Sequence, residues 1–281
     1  MRNVSLVKYH GAGNDFLIAL DPSGLPGGDE LEASFVRRLC DRHRGVGADG
    51  VIVARPAGGA ADARMELRNA DGGRAETSGN GLRCLALALL DAGRAHERHG
   101  AIVIETDAGA RRVSLERRGL PGAATLRSEM GVVRLGDRVP APDGLGAAWK
   151  ARLADAGNPH LVLLGPSLDG IEITELGPAL ENARPGGQNV EAASPAGDGL
   201  ELVVWERGAG VTESCGSGSC AVAAVARAAG LVGDRVAVHN PGGTLVVDLA
   251  GDRDTPAVGL SGPAERVASV EVDLDTLEDA R

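Results

Sequence analysis

The sequence predicts an α+β protein that contains two copies of one domain. Short strand-like segments outnumber helices, and each half of the chain has one long helix-forming run directly after a glycine-rich turn. This pattern favours segregated helices and strands over a doubly wound parallel sheet. Two internal similarities support a duplication: residues 67–81 align without gaps with 204–218, and 12–14 align with 156–158.

Both alignments are offset by about half of the 281-residue chain. We therefore expect one repeat over 1–138, with closing strands from the C-terminus as an option, and a second repeat over 139–281. Ligands bind preferentially where domains meet. The expected position of the functional site is accordingly the cleft between the repeats.

In the first repeat, apolar runs between Gly, Pro and Asp turns indicate short strands. A helix is expected from Asp29, a good N-cap, to about His43, with Leu31, Phe35 and Leu39 on its apolar side. A second helix is expected directly after the turn at 78–81. The expected segments are strands Val4–Tyr9, Phe16–Leu20, Gly50–Arg55, Ala63–Asn69, Ala101–Thr106 and Arg111–Glu116, and the helix Leu82–Ala95.

The second repeat shows a similar order of segments after a Pro- and Gly-rich connection at 136–150. A short helix is expected at Glu175–Ala183, and an alanine-rich helix is expected from Cys215 to about Ala229. The expected strands are Pro159–Leu164, Gly187–Ala193, Leu200–Glu206, Arg235–His239, Thr244–Leu249 and Ala257–Ser261.

Composition and charge exclude several classes of protein. A hydrophobic fraction of 43% excludes a disordered chain, and a net charge of −10 without a basic stripe argues against nucleic-acid binding. No stretch is apolar enough for a signal peptide or a membrane span, so a cytoplasmic protein is expected. The four cysteines are too few for a disulfide framework at this length.

Motifs for the common cofactor-dependent chemistries are also missing. There is no phosphate-binding G-x-x-x-x-G-K-[ST] motif and no G-x-S-x-G nucleophile motif. Only Lys8 and Lys150 are present, and neither lies beside a glycine-rich cofactor turn, which argues against a Schiff base. Cys215 and Cys220 lack a second Cys/His pair for zinc. We expect no metal and no cofactor.

Each repeat places a polar side chain, Ser78 or Cys215, directly before G-x-G at the start of a helix. The free amides of a helix N-terminus attract a carboxylate, and the same field stabilises a thiolate, so we expect Cys215 to be partly ionised. Two such turns suit proton removal and return on opposite faces of a carbon beside a carboxylate. The simpler reading of Ser78 is a plain helix N-cap.

The motifs resemble the diaminopimelate epimerase family. The resemblance spans nearly the whole chain in the family's order. The matching stretches are KYHGAGNDF at 8–16, RNADG at 68–72, GNGLRC at 79–84, GNPH at 157–160, NVE at 189–191, ERG at 206–208 and CGSG at 215–218.

This resemblance implies two pseudo-symmetric domains, each a barrel-like, mostly antiparallel sheet around a central helix. It implies cofactor-independent interconversion of LL- and meso-diaminopimelate in lysine and peptidoglycan precursor synthesis, by a homodimer. The residues at 78 and 215 would be the two bases. Substrate-binding residues implied by the resemblance are Asn14, Asn69, Asn158, Asn189, Glu206 and Arg207 for the amino-acid ends, and Gly79, Asn80, Gly216 and Ser217 for the reacting carboxylate.

Ser78 departs from the family pattern, which has cysteine at both base positions. A serine hydroxyl is a much weaker acid than a thiol. Three explanations stay open: an engineered Cys→Ser replacement, a natural serine assisted by Glu76 or a water molecule, and drift to a related one-thiol reaction of the hydroxyproline epimerase or dehydratase type. A catalytically silent amino-acid-binding protein is a further alternative. Cys84 lies nearly two helical turns from position 78 and is expected to point into the core.

Overall fold

A computed structural model of the chain describes residues 2–75, 78–97 and 100–279. The chain divides into two compact units: unit 1 contains Met1–Ser128 and Pro263–Arg281, and unit 2 contains Glu129–Gly262. The borders differ from the expected 138/139 division because two long strands continue from one unit into the other. The C-terminal segment belongs to unit 1, as the option of closing strands had allowed.

Unit 1 is a ring of eight strands around one helix. The strand order is β1-β2-β3-β4-β5-β6-β7-β16, and β16 also pairs with β1, which closes the ring. Helix α2 contacts β1 to β6, and its residues from Gly79 to Leu89 are buried. The elements are β1 Asn3–Gly11, β2 Asn14–Ala19, α1 Ala33–Cys40, β3 Gly50–Arg55, β4 Ala63–Asn69, α2 Gly79–Asp91, β5 Ile102–Thr106, β6 Gly109–Arg118, β7 Ala123–Val132, β16 Ala257–Asp273 and α5 Leu274–Asp279.

Unit 2 has a sheet in the order β16-β15-β14-β12-β11-β10-β9-β8, with β13 beside β12. Helix α4 contacts β9 to β12, β14 and β15 of this sheet. Near β8, the amides of Val133 and Leu135 donate to the carbonyls of Pro256 and Asp254 just before β16. The elements are β8 Arg134–Val139, β9 Lys150–Asp155, β10 Pro159–Leu164, α3 Ile173–Glu181, β11 Asn189–Ala196, β12 Gly199–Glu206, β13 Gly210–Val211, α4 Gly216–Ala228, β14 Arg235–Asn240 and β15 Gly243–Ala250.

The strand pairing confirms the duplication. In unit 1 the parallel pairs are β2–β3 and β4–β5, which are connected through α1 and α2. In unit 2 the parallel pairs are β10–β11 and β12–β14, which are connected through α3 and α4. The predicted fold class is therefore confirmed: each unit has a curved, mostly antiparallel sheet packed around one central helix.

Helix α1 is shorter than the expected 29–43. It begins at Ala33, and Glu32 precedes it without a side-chain cap. Its end has a clear cause, because Asp41 Oδ1 accepts hydrogen bonds from the amides of His43 and Arg44 and turns the chain out of the helix. The predicted apolar side is buried all the same: Leu31, Phe35 and Leu39 belong to the unit 1 core.

None of the helices in the described part of the chain is long and apolar enough to cross a membrane.

Candidate active site

The two central helices begin in the same way. Ser78 and Cys215 are the N-cap residues of α2 and α4, both in extended backbone conformation. Ser78 Oγ accepts a hydrogen bond from the amide of Gly81 at 3.0 Å, and Cys215 Sγ accepts one from the amide of Gly218 at 3.3 Å. The side chain predicted to be catalytic in each repeat is therefore also the helix cap. The interpretation of Ser78 as a helix N-cap is confirmed.

The first-turn amides of these helices precede the intrahelical hydrogen-bond ladder. That ladder starts with Leu82 N donating to Ser78 O and Ser219 N donating to Cys215 O, both at 2.9 Å. The positions before it are Gly79, Asn80, Gly216 and Ser217, which are the positions implied to hold the reacting carboxylate. Helix N-terminal amides in this arrangement suit an anion.

In unit 1, a chain of side-chain hydrogen bonds joins three elements. Arg83 Nη2 donates to Asn80 Oδ1, Asn80 Nδ2 donates to Asn14 Oδ1 at 3.2 Å, and Asn14 Nδ2 donates to Asp49 Oδ2 at 2.8 Å. Each amide therefore has its orientation set by its neighbours. Arg83 is completely buried, although sequence reasoning assigned it no role. The sequence feature that could have indicated a buried role for Arg83 was a single basic residue inside an apolar helical run.

A tight hairpin places Asn14. Residues Gly11 and Asn14 pair across the loop Ala12-Gly13, and both loop residues have positive φ, 52° and 84°. This is the backbone of a two-residue type I′ turn. Ala12 occupies a left-handed conformation that L-residues with a Cβ seldom adopt, which costs about 1 kcal/mol.

A charged cluster supports the same edge of the sheet. Asp15 contacts Lys8 at 2.7 Å and Arg42 at 2.8 Å, and Arg42 also contacts Asp49 at 2.7 Å. Burial raises the pKa of Asp15, but hydrogen bonds from Arg42 and Lys8 outweigh it, and the pKa is lowered overall. Asp15 is therefore ionised at neutral pH and holds the cluster together.

Asn69 lies at the same edge as Asn14. Strand β2 runs parallel to β3, with Phe16 opposite Gly50, and β3 runs antiparallel to β4, with Gly50 opposite Asn69. The start of β2 and the end of β4 therefore meet at one edge. The Asn69 side chain makes no hydrogen bond to any other described residue.

Unit 2 gathers Asn158, Asn189 and Glu206 at one sheet edge in the corresponding way. His160 lies opposite Asn189, and Val190 lies opposite Trp205, so the start of β10, the start of β11 and the end of β12 are adjacent. Asn189 is buried; its Oδ1 accepts from Arg207 N at 2.9 Å and its Nδ2 donates to Pro159 O at 3.1 Å. Asn189 therefore ties the three strand ends together.

The neighbouring pair Glu206 and Arg207 follows directly from β12. Glu206 Oε1 accepts a short hydrogen bond from Thr212 Oγ1. Arg207 Nη1 donates to Gly186 O at 3.3 Å, and Arg207 N is the donor held by Asn189. Asn189 thus fixes the backbone at Arg207, and the side chains of Glu206 and Arg207 are each anchored to a loop.

A buried hydrogen-bonded chain in unit 2 was not foreseen from the sequence. His160 Nδ1 lies 2.7 Å from Glu191 Oε1, and His160 Nε2 lies 2.8 Å from Asn158 Oδ1. The side chains of His160 and Glu191 are completely buried. Both residues belong to motif stretches quoted above, but nothing in one sequence shows that they touch.

The surroundings of Cys215 contradict the expectation of a partly ionised thiol. Burial raises the pKa of Cys215 well above its ordinary value, and the carboxylates of Glu206 and Glu191 raise it further. Hydrogen bonds from Ser217 Oγ and Gly218 N lower the pKa but do not outweigh burial. Because Cys215 is only 4% exposed, the loss of hydration exceeds the stabilisation from the helix N-terminus.

Two residues near Ser78 were considered for a role beside it, Glu76 as an assisting group and Cys84 as a substitute thiol. Glu76 lies outside the described residues. Cys84 is completely buried inside α2, and burial raises the pKa of its thiol to about 12. Cys84 therefore does not replace the cysteine expected at position 78, in agreement with the helical spacing. All four cysteines are buried, and none of them forms a disulfide.

Comparison with known protein families identifies one match over most of the chain. A family model described as diaminopimelate epimerase matches residues 6–135 and 152–267. A diaminopimelate epimerase of Rhizorhabdus wittichii is 39% identical over 280 residues, which cover 95% of this chain and 94% of that protein. One from Erythrobacter litoralis is 38% identical over 269 residues, covering 93% of this chain and 94% of that protein.

Solved structures share the fold at lower sequence identity. A hydroxyproline epimerase from Agrobacterium vitis matches with a TM-score of 0.75 and 20% identity, covering 98% of this chain and 93% of that one. A phenazine biosynthesis protein from Bacillus anthracis matches with a TM-score of 0.77 and 16% identity, covering 97% of this chain and all of that one, 100%.

Proposed function

The chain belongs to the diaminopimelate epimerase family, and we propose that it interconverts LL- and meso-diaminopimelate without a cofactor. The observation that carries this proposal is the pair of equivalent helix N-termini. Each has an acid/base side chain at the N-cap, and the first-turn positions behind it precede the intrahelical hydrogen-bond ladder. The substrate is a small molecule with an ammonium and a carboxylate at each end.

Cys215 acts in its thiolate form as the base that removes the α-proton, and Ser78 acts as the acid that returns one to the opposite face of the carbon. The raised pKa of Cys215 makes this thiolate scarce but strongly basic. Removing the proton places negative charge on the carboxylate beside the α-carbon. The amides at Gly79, Asn80, Gly216 and Ser217 stabilise that charge, because fixed dipoles in a site without water need no reorganisation. Inversion follows from removal on one face and return on the other.

The remaining polar residues bind the two amino-acid ends. Arg207 offers a fork of N–H donors for the distal carboxylate, and Glu206 offers an acceptor for an ammonium group. Asn14, Asn69, Asn158 and Asn189 add donors and acceptors, since a side-chain amide has both. Asn189 serves indirectly, because its amide is already hydrogen bonded to two strand ends.

Exchange of the α-proton tests the reaction. The protein is incubated with LL-diaminopimelate in heavy water, and loss of the α-proton signal is followed by NMR. We expect slow exchange in the protein as it stands and about a hundredfold faster exchange after Ser78→Cys, because a thiol is a far better acid than a hydroxyl. If meso-diaminopimelate binds but Ser78→Cys shows no exchange, the assigned reaction is wrong.

Ser78 itself favours a second candidate, an epimerase or dehydratase of another amino acid such as hydroxyproline. The same exchange experiment with trans-4-hydroxy-L-proline distinguishes the two. Arg207 and Asn69 provide for a second carboxylate, which a hydroxyproline ring lacks. A silent binding protein would bind diaminopimelate in a calorimeter but would not exchange its proton before or after Ser78→Cys.

A homodimer in the cytoplasm completes the proposal. The resemblance of the motifs supports it. Sedimentation of the purified protein tests the dimer, and fractionation of cells tests the location.

A further inference from the structure

Glu191 is a buried carboxylate that the proposed reaction does not use. It lies on β11 with buried Val190 and Ala192 as its chain neighbours, and its Oε2 has no hydrogen-bond partner among the described residues. A buried charge with an unsatisfied oxygen contributes little or negatively to stability. Stability alone therefore does not account for a carboxylate at this position.

The pair of Glu191 and His160 constrains where the protons lie. A carboxylate beside a neutral imidazole leaves one uncompensated negative charge in a dry interior, which is costly. The cost is smaller when the pair is neutral overall, either as carboxylate with imidazolium or as carboxylic acid with neutral imidazole. Where the shared proton lies between Glu191 Oε1 and His160 Nδ1, which are 2.7 Å apart, a second hydrogen remains on Nε2 in both arrangements.

The hydrogen on Nε2 then determines how Asn158 is oriented. A protonated Nε2 is a donor, so the Asn158 atom at 2.8 Å from it must be the acceptor Oδ1. The NH2 group of Asn158 consequently faces away from His160. With a bare Nε2 the amide would be reversed, and Asn158 would present a carbonyl oxygen in place of two N–H donors.

We infer that Glu191 is a positioning residue: acting through His160, it fixes the side-chain amide of Asn158 so that its NH2 group is presented to a carboxylate of the substrate. The identity of that substrate rests on the proposed function. The orientation itself depends only on the Glu191–His160–Asn158 chain.

NMR of protein with 15N-labelled histidine tests the orientation directly. We expect His160 Nε2 to carry a directly bonded hydrogen at pH 8, seen as a one-bond N–H splitting. A bare Nε2 with the hydrogen on Nδ1, the usual tautomer of a neutral histidine beside a carboxylate, would overturn the inference. This measurement needs no substrate.

Calorimetric binding of meso-diaminopimelate tests the consequence. Glu191→Gln keeps the shape of the side chain but removes its charge. Both neutral tautomers of His160 then become accessible, because a side-chain amide can donate to or accept from Nδ1. Asn158 consequently loses its fixed orientation. We expect affinity to fall about tenfold, the usual value of one hydrogen bond to a charged group, with the unfolding temperature unchanged or higher. Unchanged affinity, or a loss of affinity that merely follows a loss of stability, would contradict the inference.

Glu201→Gln is the matched control. Glu201 is also a carboxylate in this sheet, and its Oε1 accepts from Ser194 Oγ at 2.5 Å, but it does not contact His160 or Asn158. Affinity in this variant should stay within about twofold of the parent. If the parent protein itself binds no diaminopimelate, the proposed function fails, and the NMR result still decides how Asn158 is oriented.

Discussion

Ser78 and Cys215 have the same backbone environment but opposite chemical surroundings. Each caps a central helix and accepts the amide of the residue three positions later. Ser78 is half-buried, whereas Cys215 is buried beside two carboxylates that raise its pKa. Duplication of the fold therefore supplied two equivalent positions, and at Cys215 the surrounding burial and carboxylates make the thiol hold its proton more strongly.

Asn14 of unit 1 and Asn158 of unit 2 differ in the hydrogen bonds that hold their side chains. Asn14 is engaged at both ends, by Asn80 at its oxygen and by Asp49 at its nitrogen. Asn158 is engaged at its oxygen, by His160. Unit 1 thus holds the amide of Asn14 between two partners, whereas unit 2 holds Asn158 at its oxygen through His160.

The largest expected effect comes from removing the thiol at the start of the second central helix. Cys215→Ser, introduced into the Ser78→Cys variant so that activity is measurable, should slow α-proton exchange by about 10³- to 10⁴-fold, the range for loss of an acid/base group. Cys220→Ala, which removes a thiol from the same helix, is the control and should change exchange by less than about threefold. Comparable losses in both variants would remove the special role of Cys215.

Gly81 and Gly218, whose amides donate to the N-cap side chains, should differ in the free energy that an added methyl group costs. A Cβ at Gly218 would lie 2.7 Å from Glu191 Oε1, which His160 holds, whereas at Gly81 the nearest atom is the terminal Cδ1 of Ile52 at 3.0 Å. We expect Gly218→Ala to lower the free energy of unfolding by about 3 kcal/mol and Gly81→Ala by about 1 kcal/mol. Urea denaturation measures both values, and equal losses would show that the turns are packed alike.

The smallest effect concerns the proton affinity of Cys215. Glu206→Gln removes one of the negative charges that raise the pKa of Cys215. A lower pKa means more thiolate at any pH below it, so alkylation by iodoacetamide at pH 7 should become about three- to tenfold faster. The curve of alkylation rate against pH should shift to lower pH.

Glu213→Gln is the control for this measurement. Glu213 is exposed and lies two residues before Cys215, yet it is not among the groups that raise its pKa. No acceleration in Glu206→Gln, or equal acceleration in both variants, would mean that burial alone sets the proton affinity of the thiol.

Much of the fold was predictable because the strands show apolar runs or apolar residues at alternate positions. The bounds expected for Gly50–Arg55, Ala63–Asn69 and Pro159–Leu164 are those of β3, β4 and β10. The strands that sequence reasoning missed are partly exposed and interrupted by charge or glycine. Strand β8, Arg134–Val139, has no buried residue, and residues 136–150 were expected to be a connection.

The site was predictable only where its chemistry lies within one short segment. Ser78 and Cys215 were visible because an N-cap, two glycines and a helix are contiguous in sequence. His160 and Glu191 are 31 residues apart and meet because β10 and β11 pair in parallel. The raised pKa of Cys215 depends on that packing, so the sequence alone suggested the opposite direction.

Strand β16 has a consequence for how the protein is made. Its 17 residues, Ala257–Asp273, pair with β15 in unit 2 and then with β1, where Asn3 lies opposite Asp273. Strand β1 therefore leaves the ribosome long before its partner β16, and the ring of unit 1 closes only when β16 has been made. Contacts of such long sequence separation form slowly. During synthesis, unit 1 is an open sheet with two unpaired edges, which is the stage at which chaperone binding or aggregation competes with folding.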